Sequence, residues 1–203
     1  YCSFAKEAGS KGCKFHNTGF AKHGVNAIYK SFSVDSIKDA VNSARVLDIK
    51  GFAVTMPYKK QVLEYVDEVD NSAMIGAANT VINSRGKLKA YNTDLWAAMD
   101  YLEQRDLDYT DFYVLGGGGY AIAVKQALKI LKINYKSITR ENWKQLSTIN
   151  NAVVYNCTPV ENISELLNKS NTIIDCITQT NTGKELAMLQ ASHQFKLYTG
   201  LDY

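Results

Sequence analysis

The apolar positions of this chain change period along its length, and the changes mark out its elements. Residues 1–5 read as extended, 14–24 carry apolar side chains at helical spacing, 25–32 read as a strand, and 36–47 return to the helical period. Ser33 or Asp35 is placed to cap that last helix, because a short polar side chain accepts from an unpaired first-turn N–H. Residues 49–55 form a β-prone run that stops at Met56-Pro57, and a helix is expected from there through about residue 67. Proline suits a first helical position, where the N–H that it lacks would have no partner anyway.

Two further β-prone runs, 78–82 and 88–91, flank Asn83-Ser84-Arg85-Gly86 and predict a hairpin. A helix over 95–105 follows, and the polar stretch 104–110 is the candidate boundary between a domain of residues 1–104 and one of 105–182. Beyond it come a strand (112–115), a glycine-rich turn and a helix (120–131). Strands at 135–139, 152–156 and 172–177 alternate with shorter helices, and a last helix covers 183–198. This alternation implies a parallel sheet covered on both faces, so the fold class is α/β.

Composition narrows the partners. With 203 residues, 46% of them hydrophobic, the chain is long enough for one substantial core or two modest ones. The net charge of +3 is dispersed, with nothing denser than Lys11 near Lys14 or the pair Lys59-Lys60, so a small anionic ligand suits it better than nucleic acid. No apolar run is long enough to cross a bilayer, and the first residues lack the basic-then-apolar pattern of a signal peptide. The expectation is therefore a soluble, cytoplasmic protein, monomeric or homodimeric, without a membrane partner. Cys2, Cys13, Cys157 and Cys176 stand singly, which suggests neither a metal site nor a disulfide framework.

Leu115-Gly116-Gly117-Gly118-Gly119-Tyr120-Ala121 fits G-x-G-x-x-A between an expected strand and helix. Glycines there let backbone approach a pyrophosphate, the helix N-terminus offers unpaired N–H groups, and the small Ala121 permits close packing. Candidate cofactor contacts are thus Gly116, Gly118, Gly119, Tyr120 and Ala121. At the end of the next strand an NAD site carries an acidic residue for the ribose, whereas this chain has Thr139-Arg140, followed by Glu141. An arginine there suits a 2′-phosphate, so NADP is the expected cofactor. The plainer alternative is a glycine turn without a nucleotide.

Three earlier segments end expected strands in polar groups: Gly51-Phe52-Ala53-Val54-Thr55-Met56-Pro57-Tyr58-Lys59, Gly76-Ala77-Ala78-Asn79-Thr80-Val81 and Tyr91-Asn92-Thr93-Asp94. Together with the glycine loop, His16-Asn17, Asn156-Cys157-Thr158-Pro159 and Gln190-Ala191, and in this order, they resemble the motifs of the shikimate dehydrogenase family. The resemblance implies an N-terminal α/β substrate domain, a Rossmann-type NADP domain, and a C-terminal helix (183–203) returning to the cleft between them. It also implies that Lys59 and Asp94 are the catalytic pair, with Ser10, Thr55, Asn79 and Gln190 contacting a small-molecule carboxylate. Lys59 is chemically suited, since an ammonium at a ketone oxygen supplies a proton and stabilises developing charge. Taken singly, Lys59 also reads as a solvated lysine and Asp94 as a helix N-cap.

The chain departs from the family pattern at three places. Ala53 stands where the family usually has Asn. The Ser-x-Ser pair that holds the substrate carboxylate is reduced to Ser10 and Gly12, and only residues 178–182 lie between the last strand and the last helix. The implied activity is an NADP-dependent interconversion of a cyclic hydroxy acid and its ketone, shikimate or a relative such as quinate. The alternative is a catalytically weak NADP-binding sensor or regulatory protein on the same fold.

Overall fold

The computed structural model describes residues 1–105 and 111–203, so residues 106–110 of the expected boundary stretch lie outside the described residues. Packing divides the chain into two compact units, Tyr1–Thr93 with Gln190–Tyr203, and Asp94–Leu189.

In the first unit the strands β1 (Cys2–Ala5), β2 (Lys30–Ser33), β3 (Gly51–Val54), β4 (Glu68–Val69), β5 (Thr80–Ser84) and β6 (Lys87–Tyr91) form one sheet, in the order β2-β1-β3-β5-β6-β4. β1 runs parallel to β2 and β3, while β5 runs antiparallel to both β3 and β6. Alternation along β3 sorts the side chains. Phe52 and Val54 join Phe4, Val81 and Leu88 in a core with Ile37, Val41 and Ala44 of helix α2 (Ile37–Val46). Ala53 and Ile82 point the other way, against an aromatic cluster of Phe20, from helix α1 (Lys11–Lys22), with Tyr29, Phe195 and Tyr198.

The second unit holds β7 (Phe112–Leu115), β8 (Lys136–Ile138), β9 (Val153–Asn156) and β10 (Thr172–Asp175) in the order β10-β9-β7-β8, every pairing parallel. Helix α3 (Thr93–Glu103) precedes it, α4 (Gly119–Ile130) follows β7, and α5 (Asn181–Thr199) closes the chain. Leu115, Ile138, Leu146, Val154 and Ile163 form its core. The α/β reading and the parallel second sheet hold. Packing divides the units at 93/94 and 189/190, where the sequence suggested 104/105 and 182/183. The end of α3 is tied into the second unit by the bidentate pair of Arg105 with Glu185 on α5, at 2.7 and 2.8 Å.

Several elements differ from expectation. The helix expected after Pro57 is a run of turns, with a cis Met56-Pro57 bond, leading into a short 3₁₀ helix at Gln61–Tyr65. The Lys59 carbonyl is the reason: it accepts from the Ala78 N–H at 2.7 Å and is not used by Leu63, whose N–H reaches only Lys60 O at 3.3 Å. The α2 cap is Ser36, whose Oγ accepts from the Asp39 N–H at 3.2 Å, and neither Ser33 nor Asp35. The strand expected over 25–32 begins only at Lys30. The shorter helices of the second unit are 3₁₀ segments, at Arg140–Thr148 and Ile163–Leu166.

Candidate functional site

In the first unit, Val54 N–H donates to Asn79 O at 2.8 Å and Ala78 N–H to Lys59 O at 2.7 Å. The turn after β3 is therefore laced to the segment entering β5, and Thr55, Lys59 and Asn79 lie in one neighbourhood. Thr55 is exposed and Lys59 half-buried.

Asn79 is the most constrained of them. Its Oδ1 accepts from the Thr93 N–H at 2.8 Å and from Thr80 Oγ1 at 3.0 Å, and its Nδ2 donates to Thr93 Oγ1 at 2.9 Å. The oxygen cannot exchange places with the nitrogen, because an amide N–H would then face the Thr93 N–H. The amide thus has a fixed polarity, which suits it to donate to a ligand oxygen. Thr93 and Thr80 escaped the sequence reading even though both lie inside quoted motifs. Thr93 contributes its backbone N–H as well as its hydroxyl, and side-chain chemistry does not reveal the former.

Asp94 directly follows Thr93, is buried, and sits in the first turn of α3, so the N-cap reading does not apply to it. Gln190 is half-buried on α5, one turn before the buried Gln194. Ser10 is exposed at the start of α1 and makes no side-chain cap. At Gly12 an added Cβ would lie 3.3 Å from the Tyr29 ring, so the missing family hydroxyl coincides with tight packing against that tyrosine.

His16, on α1, is buried and stacks on Tyr29 at 4.5 Å. Burial pushes its pKa down to about 4 from 6.5, offset only in part by its contact to Gln194. The folded protein therefore refuses a proton that the unfolded chain takes up, and stability should fall as the pH drops from about 6.5 towards 4, by up to about 3 kcal/mol. Urea midpoints measured across that range should show this loss in the parent and a flatter profile in His16→Gln.

In the second unit, Gly116 has φ +110° and an added Cβ would press on Thr158 Cγ2 at 3.1 Å and Cys157 O at 3.3 Å, so only glycine fits. Gly117 and Gly118 face open space, and Gly118, at the N-cap of α4, has no side chain with which to cap the helix. Lys125 donates to Gly116 O at 3.1 Å, and burial lowers its pKa. Ala121 is fully buried, as close helix-to-strand packing requires. The Tyr120 hydroxyl turns to Tyr155 at 3.0 Å.

Thr139 closes a capping box with Asn142, whose Oδ1 accepts from the Thr139 N–H at 2.6 Å. That box fixes the chain on which Arg140 stands exposed, its guanidinium meeting no carboxylate among the described residues. Sequence reasoning also missed a buried network at the ends of β9 and β10. Asn156 accepts from Thr158 Oγ1 at 2.7 Å and donates to Asp175 at 3.0 Å, holding the segment that backs Gly116.

Residues 8–81 match the family model of the shikimate dehydrogenase substrate-binding domain. The chain is 41% identical over 135 residues to the NADP(+) shikimate dehydrogenase of Pyrococcus furiosus, covering 64% of this chain and 50% of that protein. It is 40% identical over 120 residues to a shikimate dehydrogenase-like protein of Haemophilus influenzae, covering 58% and 44%. The chain thus spans about half the length of these curated relatives. A solved shikimate 5-dehydrogenase-like protein superposes with a TM-score of 0.85 at 28% identity, covering 100% of this chain and 91% of that one.

Proposed function

The chain belongs to the shikimate dehydrogenase family, and from that premise we propose that it is an NADP-dependent oxidoreductase interconverting a cyclic hydroxy acid and its ketone. The observation that carries this reading is the fixed Asn79 amide beside the Lys59 turn, a polar arrangement that packing alone does not require.

The second unit fits the cofactor. Gly117 and Gly118 leave room for a pyrophosphate at a helix N-terminus that has no side-chain cap, and Arg140 offers an exposed guanidinium to a 2′-phosphate. Bound there, the nicotinamide supplies the hydride. Lys59 would place its ammonium about 2.6–3.2 Å from the reacting oxygen, giving a proton as the ketone is reduced and taking it back in the reverse direction. Asp94 would hold and tune that ammonium. Asn79 and Gln190 would orient the ring hydroxyls, with Thr55 beside them. Ser10 would meet the carboxylate, and because Gly12 adds no second hydroxyl, shikimate should bind less tightly than a Ser-x-Ser pair would allow.

The test is purified protein assayed for reduction of NADP+ and NAD+ with shikimate, quinate and related hydroxy acids. Turnover with NADP+ supports the reading, and binding of NADP without turnover on any of them favours the sensor. Arg140→Ala should weaken NADP binding by on the order of 10- to 100-fold, the worth of one charge-assisted phosphate contact of about 1.5–3 kcal/mol. NAD affinity should stay as it was. Equal losses for both cofactors would remove Arg140 from the 2′-phosphate.

A further inference from the structure

Behind Asn79 lies a chain of buried polar groups that the proposed chemistry does not use. Gln194, 4% exposed on α5, donates through Nε2 to Thr80 Oγ1 at 2.9 Å and toward the Asn79 carbonyl at 3.4 Å. A backbone carbonyl only accepts, so the amide nitrogen must face β5, and Gln194 Oε1 faces α1. There it meets His16 Nε2 at 3.4 Å. Nε2 must then carry the ring proton, and Nδ1, buried without a partner among the described residues, is the bare nitrogen of a neutral imidazole.

The polarity propagates forward as well. With Thr80 Oγ1 accepting from Gln194, its own hydrogen is directed to Asn79 Oδ1 at 3.0 Å. The amides at the two ends therefore each have one orientation, that of Asn79 enforced by the Thr93 N–H, while the Thr80 and Thr93 hydroxyls, 3.4 Å apart, can donate in either direction. A polar chain through the packing of α1, α5 and β5 is costly to bury unless all of its members are satisfied. An apolar side chain at position 194 would fill the same space.

We propose that Gln194 is a positioning residue: held by His16 and acting through Thr80, it locks the Asn79 amide so that Asn79 meets a substrate hydroxyl as a donor. This rests on the reading of Asn79 as a substrate ligand. Gln194 need not touch the substrate, and unlike Gln190 one turn earlier it is fully enclosed.

The experiment is a double-mutant cycle on the full chain, reading the dissociation constant of shikimate or quinate, whichever the parent binds more tightly, by calorimetry. Gln194→Met should weaken binding about tenfold, since losing one orienting hydrogen bond leaves buried groups unsatisfied. In an Asn79→Ala background the same change should have almost no effect, because its target is gone. NADP affinity should not move in either background. If Gln194→Met does not fold, Thr80→Val breaks the same chain at its next member and is held to the same outcomes. Should Asn79→Ala fail to fold, Asn79→Ser serves as the background.

An unchanged dissociation constant in Gln194→Met, or an equal loss with and without Asn79, overturns the positioning role while leaving the functional reading intact. If neither acid binds the parent, or if Asn79→Ala binds as the parent does, Asn79 is no ligand, and the functional reading falls together with the role built on it.

Discussion

Lys59→Ala should lower kcat on the best substrate by about 10²- to 10⁴-fold, the usual worth of general acid–base assistance, while changing KM far less. The split follows from where the ammonium works. Its interaction with a neutral ketone oxygen is modest, and it strengthens as alkoxide character develops, so its loss falls on the transition state. Asp94→Asn should be damaging through the same group, and the double variant should lose much less than the two single losses combined, because in the proposed mechanism both residues serve one proton transfer. NADP binding should survive all three changes. Near-parental kcat in Lys59→Ala would end the assignment.

Gly183→Ala should cost about 3 kcal/mol of stability or more, lowering the melting temperature by roughly 6–12 °C for a chain of this size. An added Cβ at Gly183 would lie 2.0 Å from Ile177 O and 2.5 Å from Ile177 C, both backbone atoms that no side-chain rotation can relieve. The crowding comes from the short 178–182 connection. Thr180 and Thr182 hydroxyls satisfy the carbonyls of Asp175 and Ile177 there, at 2.7–3.2 Å, and pull the first turn of α5 onto the end of β10. Thermal denaturation of Gly183→Ala beside Lys184→Ala, at an exposed neighbour, measures the effect.

What the sequence disclosed depended on how local the determining interactions are. Phe112–Leu115 was legible to the residue because a buried parallel strand reads as a short apolar run, here ended by glycine. The turns after Pro57 were not. Val62, Leu63, Tyr65 and Val66 are spaced as on a helix, but the Ala78 N–H claims the Lys59 carbonyl, a competition between segments far apart in sequence. Asn79, Gln190 and the glycine loop were singled out through motifs. Gln194 and His16 acquire their meaning only when α1, α5 and β5 are packed, since nothing in a helical Gln or His reveals that it will be enclosed.

Hydride transfer itself is the most direct test of the central claim. NADPH carrying deuterium at both nicotinamide C4 positions should be mixed with the protein and the ketone of whichever acid is turned over, and the product read by mass spectrometry. The expected product is a hydroxy acid carrying one deuterium on the former carbonyl carbon, formed at a rate that Lys59→Ala reduces by about 10²- to 10⁴-fold. Reduced product without the label, or no reduced product with any cyclic keto acid while NADPH remains bound, would contradict that claim.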